Sequence, residues 1–536
     1  MNDSGKQFDG ILDDYFERLL ADVPTFAVVS GGLAEGEGRL GRADAAFHKR
    51  REAARQKTLQ RLDQISPGTL SKEQHLDRLA LRTQLLRETE DFSRNRHEID
   101  PGGAEQILSI LFHELQRADD EPERAAANLR RLLKQVPGFL EGAGETLKTP
   151  EPVWLKIMEE TVSGAESLLG GVRKVLEASN PRPQDDAMIA STQKALEGYR
   201  DHASSLPPAP DGSFALGAAG MQRRVRDELG LDYTLGQIEA LAVAEADRVG
   251  GLLQKACAAF GRNKSAEEII STLRSEWHPG QPLLELYRTE TTRIASAFKQ
   301  AGAVTFPKGD ELDVRPVPEF LRSLIPTAAY SQPGAFAKRQ RGIFWVNDLS
   351  LTKESAAEKL AEQQQHFGMS LTCAHEAYPG HHLQFVTANQ HPRRWRRLFA
   401  HAVFYEGWTL WCEQMMMDLQ IDSSPWLPVQ QLHDALWRCH RILVDLRLQT
   451  GRYSHAQATR HLQKHLGFTP ARASADVNWY TGQPGVPMSY WLGRLEVARL
   501  HAKLVQGRGW EVQRFNDWLL SFGTIPQAWI EKYGLD

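Results

Sequence analysis

The chain has 536 residues, 41% hydrophobic and 25% charged, with 64 Lys and Arg against 68 Asp and Glu for a formal charge of −4. That length exceeds one ordinary domain and allows two lobes with a cleft between them, and the composition excludes a disordered or fibrous protein. The balanced charge leaves no global field for nucleic acid or an anionic membrane, so partners have to be read from a site. From about residue 8 to 300, apolar residues recur at i, i+3, i+4 and i+7 between turns of Gly, Pro or Ser, which predicts helix after helix. Ser71-Lys-Glu-Gln74, Thr234-Leu-Gly-Gln237 and Ser265-Ala-Glu-Glu268 each set a cap hydroxyl three residues before Glu or Gln, a capping box. The loop-like stretch Leu206-Pro-Pro-Ala-Pro-Asp-Gly-Ser213 divides an N-terminal helical lobe, 1–206, from a C-terminal helical lobe, 214–536.

Three β-rich stretches follow, Ala303-Val-Thr-Phe-Pro307, Val314-Arg-Pro-Val-Pro-Glu-Phe320 and Gly342-Ile-Phe-Trp-Val-Asn347, predicting a small sheet within 303–347. An edge strand there would suit an extended substrate backbone as well as plain scaffold. After residue 350 the pattern is helical to the end. The fold class is therefore mainly α with a small mid-chain sheet. The N-terminus, MNDSGKQFDGILDDYFERLL, carries acids where a signal peptide needs basic residues, and no run approaches the ~18–20 apolar residues of a spanning helix. The expectation is a cytoplasmic protein with neither membrane nor nucleic-acid partner. Cys257, Cys373, Cys412 and Cys439 have no CxxC spacing, which fits a reducing compartment and excludes a thiolate zinc ribbon; Cys373 reads as a small buried thiol.

Chemistry concentrates in His375-Glu376-Ala377-Tyr378-Pro379-Gly380-His381-His382. Hydrolysis with one zinc needs three protein ligands, an open position for water and a base for that water's proton. His375-Glu376 offers a ligand beside a base. In an HExxH helix the second His lies four residues on, but here that place is Pro379, and the His pair comes six and seven residues after His375. On an unbroken helix a seven-residue separation is about 10 Å, too far to share one ion, so Pro379-Gly380 is expected to kink the chain and return His381 or His382 to the metal. Phe404-Tyr-Glu-Gly-Trp-Thr-Leu-Trp-Cys-Glu413 supplies Glu406 as the third ligand, with Glu413 on the same face to orient a histidine. The run His391-Pro-Arg-Arg-Trp-Arg-Arg-Leu-Phe399 reads as a solvated helix face rather than a nucleic-acid patch.

HEAYPGHHLQF resembles the HExxPGHHxQ signature of a bacterial family known as domain of unknown function 885, and Tyr405-Glu-Gly-Trp408 resembles its EGW element. Together these similarities span most of the chain. In motif order the family is similar to the helical zinc oligopeptidases and carboxypeptidases, which implies a two-lobed α fold with a deep channel and a peptide substrate. In those groups a Gly precedes the second ligand His, which favours Gly380-His381, with His382 the rival. Tyr480-Thr-Gly-Gln-Pro-Gly-Val-Pro-Met-Ser-Tyr-Trp-Leu-Gly493 resembles the family's PGQxxSYxxG element, implying that Tyr490, or Tyr480, donates to a developing oxyanion. Two positions depart from the family pattern: Val486 replaces a Gln, and Gln449 stands where a His is expected after Val444-Asp. The expected activity is zinc-dependent hydrolysis of short peptides, with Mn, Co or Fe able to use the same ligands. The alternatives are an amidase or lyase acting on a small metabolite, or a binding protein without catalysis.

Overall fold

A computed structural model describes residues 3–535 apart from 262–263, 319–321, 323–324 and 326. The chain is mainly α, with a small sheet in mid-sequence. It divides into two compact units, 1–214 with 334–337, and 215–333 with 338–536. In the first, helices from Asp3–Asp22 to Asp185–Ser205 bury Phe8, Ile11, Phe16, Leu76, Leu111 and Leu196. The predicted capping box at Ser71 starts one of these helices. The returning segment 334–337 bonds through Ala335 N–H to the Ser30 carbonyl at 2.8 Å and through Phe336 N–H to Gly31 at 2.9 Å.

The second unit carries the sheet and the helices of the candidate site. Strands β1 (Asp310–Pro316), β2 (Ala328–Ser331) and β3 (Gln340–Val346) lie in the order β1-β3-β2. β1 runs parallel to β3 and β2 antiparallel to it. The predicted strand at 342–347 is β3, and the stretch from Val314 contributes the end of β1, while its Glu319 and Phe320 lie outside the described residues. Ala303–Pro307 is not a strand. Its backbone is held instead by side chains of the C-terminal helix Val512–Leu520: Asn516 donates to the Ala303 carbonyl at 2.8 Å, and Thr305 N–H donates to Asp517 at 2.7 Å. The basic run 391–399 is not a solvated face. Arg396 is fully buried and donates to the Phe522 carbonyl at 3.0 Å.

The core of this unit joins the helices Ala402–Asp418, Leu427–Gln449 and Val486–His501 through Val403, Leu410, Cys439, Ile442, Met488 and Leu492. Gly407 and Gly493 set the approach of the first and last. A Cβ on Gly407 would fall on the backbone of Gly493, and one on Gly493 would fall on the Val403 carbonyl oxygen. This close crossing brings Glu406 beside Tyr490. The start of the Tyr490 helix is fixed by Asp445, whose buried carboxyl accepts from Gly485 N–H at 3.1 Å and Met488 N–H at 3.3 Å.

Gly407→Ala overpacks the crossing and should cost about 1–3 kcal/mol, read as a lowered Tm or urea midpoint; unchanged stability would mean that the helices have room to spare. Burial raises the Asp445 pKa from 3.8 to about 8, against the two N–H groups and the Arg224 charge. A carboxyl raised on folding stabilises fully below its unfolded pKa and loses that contribution as pH climbs through the folded value. Asp445→Asn stays neutral and still accepts, so between about pH 5 and pH 8 it should lose less Tm than the wild type. Parallel Tm–pH curves would mean that Asp445 is an ordinary carboxylate.

Candidate metal centre

The helix Met369–Glu376 stops where Ala377 leaves helical geometry at φ −103°, ψ −92°, and a new helix runs His381–Asn389. The turn between them absorbs the residues that separate this motif from an unbroken HExxH helix. Gly380 is required there, since a Cβ would strike the Ala374 and His375 carbonyl oxygens. Trp408, from the EGW element, donates through Nε1 to the Pro379 carbonyl at 2.8 Å and so clamps the turn to the Glu406 helix. Gln384 ties the second motif helix to the C-terminal segment, bonding Thr524 Oγ1 at 2.8 Å.

These constraints bring His375, His381 and Glu406 together, with one ligand atom from each within 4.8 Å of the others. All three side chains are buried. Glu406 Oε2 lies 3.5 Å from His375 Nε2 and 3.7 Å from His381 Nε2, longer than good hydrogen bonds, and it has no hydrogen-bond partner among the described residues. Two imidazole nitrogens and a buried, unsatisfied carboxylate oxygen converging this way suit a divalent cation, and the His2Glu set is one that zinc accepts. The residues therefore fit the expected metal.

His375 Nδ1 is 2.8 Å from Glu413 Oε1, so a proton on Nδ1 is donated to Glu413 and Nε2 is left to bind. Burial disfavours a charged His375, and the nearby carboxylates of Glu406, Glu413 and Glu376 oppose it, raising the pKa of the metal-free ring. His381 is lowered to about 4 by burial, against the pull of Glu406, and presents a neutral ring. Burial would raise the Glu406 carboxyl, yet His381, His375 and the Tyr490 hydroxyl hold it below its ordinary value. Glu376, partly buried beside these groups, is raised to about 7 by burial, with Glu406 and Glu413 adding to the rise and His375 opposing it.

His382 turns toward the sheet. Its ring is fully buried, with Nδ1 3.0 Å from the Tyr330 hydroxyl on β2 and Nε2 3.8 Å from Asp310 on β1, and Gly342 of β3 leaves the room it occupies. Tyr490 hydrogen-bonds Glu406. Tyr480 does not: its buried hydroxyl accepts from Arg441 Nε at 3.0 Å and lies 3.4 Å from Asp476. Sequence reasoning misses Arg441 itself, along with the parts played by Trp408 and Asp445. Nothing in a helical run such as Trp437-Arg-Cys-His-Arg441 separates a buried guanidinium from a surface one. Cys373 is a buried free thiol, as expected.

Residues 24–533 match the family described as bacterial protein of unknown function (DUF885). No curated protein matches the chain. Two solved structures share the fold: a candidate lipoprotein of unknown function from Shewanella oneidensis (TM-score 0.78, 19% identity, 99% of this chain and 100% of that one) and a candidate lipoprotein from Colwellia psychrerythraea (TM-score 0.78, 18% identity, 99% of each). Both neighbours are described as lipoproteins, proteins anchored at a membrane, and this stands against the cytoplasmic expectation. In a lipoprotein an attached lipid supplies the membrane affinity, so composition and helix hydrophobicity are silent on such anchoring. Among the described residues no helix is long and apolar enough to cross a membrane, which bears on spanning and not on anchoring.

Proposed function

We propose, for a chain that belongs to the bacterial family of unknown function DUF885, a single-metal hydrolase that cleaves amide bonds in short peptides. The observation that carries this reading is the convergence of His375, His381 and Glu406 with Glu413 behind His375 and Glu376 next in sequence. Zinc is the metal the donor set suits best. A divalent ion held by the three ligands would supply Lewis acidity, polarising a carbonyl and bringing the ionisation of water toward neutral pH.

The protein's own groups divide the remaining work. Glu376 takes a proton from the attacking water and passes it to the leaving nitrogen; a carboxyl raised to about 7 by its buried, acidic surroundings suits transfer in both directions near neutral pH. Glu413 fixes the ring orientation and tautomer of His375. Burial raises the Tyr490 hydroxyl well above its ordinary pKa, with Glu406 adding to the rise and Arg441 opposing it. It thus keeps its proton and can donate to charge building on the carbonyl oxygen. Tyr480, bonded to Arg441, positions that arginine in this reading rather than meeting substrate.

Metal analysis on protein purified without added metal should find about one divalent ion per chain. Glu376→Gln should retain it while turnover of a short-peptide panel falls by about 100-fold or more. Glu413→Ala should weaken metal affinity by about 10- to 100-fold, measured by chelator competition. A metal-free protein, or a Glu376→Gln variant as active as the wild type, would sink the reading.

A further inference from the structure

The helix Leu427–Gln449 carries a guanidinium whose bonding is incomplete. Arg441 is 7% exposed, and its Nε donates to Tyr480 while its Nη1 has no hydrogen-bond partner among the described residues. Its Cζ sits 4.0 Å from the Trp437 ring centroid and 4.5 Å from that of Tyr490. Aromatic faces hold the charge in place but give Nη1 no acceptor. A guanidinium does not escape burial by losing its proton, so a buried donor left unmade carries the full cost of its lost hydration.

The surroundings carry charges of both signs, and the carboxylates of Asp476 and Glu406 act on Arg441 itself. Arg438 and Arg472 act electrostatically on Asp476 together with Arg441, and Arg438 Nε is likewise buried without a partner. Asp434 and Asp476 are the carboxylates acting on Arg472 against these three cations, and burial pushes Asp476 toward its neutral form. Tyr490 hydrogen-bonds Glu406, which also acts electrostatically on Arg441. What is left over beside Tyr490 is thus a hydrogen-bond donor, the Nη1 group of Arg441.

A strut for Tyr480 and Tyr490 would need the Nε contact and the stacked ring faces and nothing more. The unused Nη1 calls for an acceptor, and a planar guanidinium pairs best with a carboxylate. We propose that Arg441 binds the terminal carboxylate of the substrate, so that the site takes peptides with a free C-terminus and cuts close to it. Arg441 and Glu406 both contact Tyr490, so a carboxylate held at Arg441 lies within a few residues of the cleaved bond, each residue spanning at most ~3.3–3.6 Å. Hydrolysis adds water across that bond, its oxygen going to the carbonyl carbon and a proton to the leaving nitrogen. This inference rests on the hydrolase reading above.

The test is binding of N-acetyl-Ala-Ala-Phe and of its C-terminal amide to the full chain, stripped of metal by chelation so that neither is consumed, followed by calorimetry. The free acid should bind about tenfold or more tighter than the amide, a preference that Arg441→Gln abolishes and Arg441→Lys keeps in part. Equal affinity for acid and amide in the wild type overturns the inference whatever the variants do, as does a preference that survives Arg441→Gln, or no binding of either peptide. Cleavage of the same pair by zinc-loaded protein separates the two readings. Acid and amide cut equally well would leave the hydrolase standing and remove the carboxylate subsite. Selective binding of the acid with no cleavage of either would do the reverse.

Discussion

Three carboxylates, from Glu376, Glu406 and Glu413, meet inside the C-terminal unit with two imidazoles among them, and this concentration of negative charge governs the surrounding architecture. Burying a charge without a partner costs several kcal/mol, so such a cluster persists only where each member is compensated. Glu413 is compensated by the His375 ring, and Glu406 in part by the Tyr490 hydroxyl. Glu376 is displaced toward its protonated form. The second oxygen of Glu406 is left over, and it faces the nitrogens of both histidines.

Holding that cluster together demands rigid packing from three directions, and short sequence elements supply it. The residues of Glu406-Gly407-Trp408 act separately: Glu406 faces the histidines, Gly407 lets the Tyr490 helix come close, and Trp408 fastens the turn at Pro379. Gly493 completes the close crossing from the other helix, and Gln384 secures the second motif helix from the C-terminal side. None of these contacts reaches the ligand position itself. They fix backbone, and the backbone fixes the ligands, which is how a centre stays ordered with its strongest electrostatic demand still unmet.

The helical class and the capping boxes are legible in the sequence because both are local: a 3.6-residue period and a hydroxyl three residues from its partner are printed in consecutive residues. The three ligands and Glu413 are legible because an acid-and-imidazole cluster is rare enough to stand out. The failures share one cause. Ala303–Pro307 has strand composition, but its backbone partners, Asn516 and Asp517, lie more than 200 residues away. Arg396 looks like a surface base until the Phe522 carbonyl is brought to it. Arg441 and Asp445 are ordinary helix residues until tertiary packing sets one against Tyr490 and the other under the start of its helix.

The two departures from the family pattern fall in the layer behind Tyr490. The fully buried Gln449 donates through Nε2 to the Tyr480 carbonyl at 2.9 Å, securing the end of the helix that carries Tyr480. Val486 opens the Tyr490 helix, directly after the glycine whose N–H reaches Asp445. Asp445 and Gln449 are four residues apart, on neighbouring turns of the helix that also carries Arg441. One helix therefore sets the height of Tyr490, anchors Tyr480 and holds the unsatisfied guanidinium, while the ligands stand on other helices. A change in this layer acts on Tyr490 and Arg441 directly and reaches Glu406 only through the Tyr490 hydroxyl and the helix crossing.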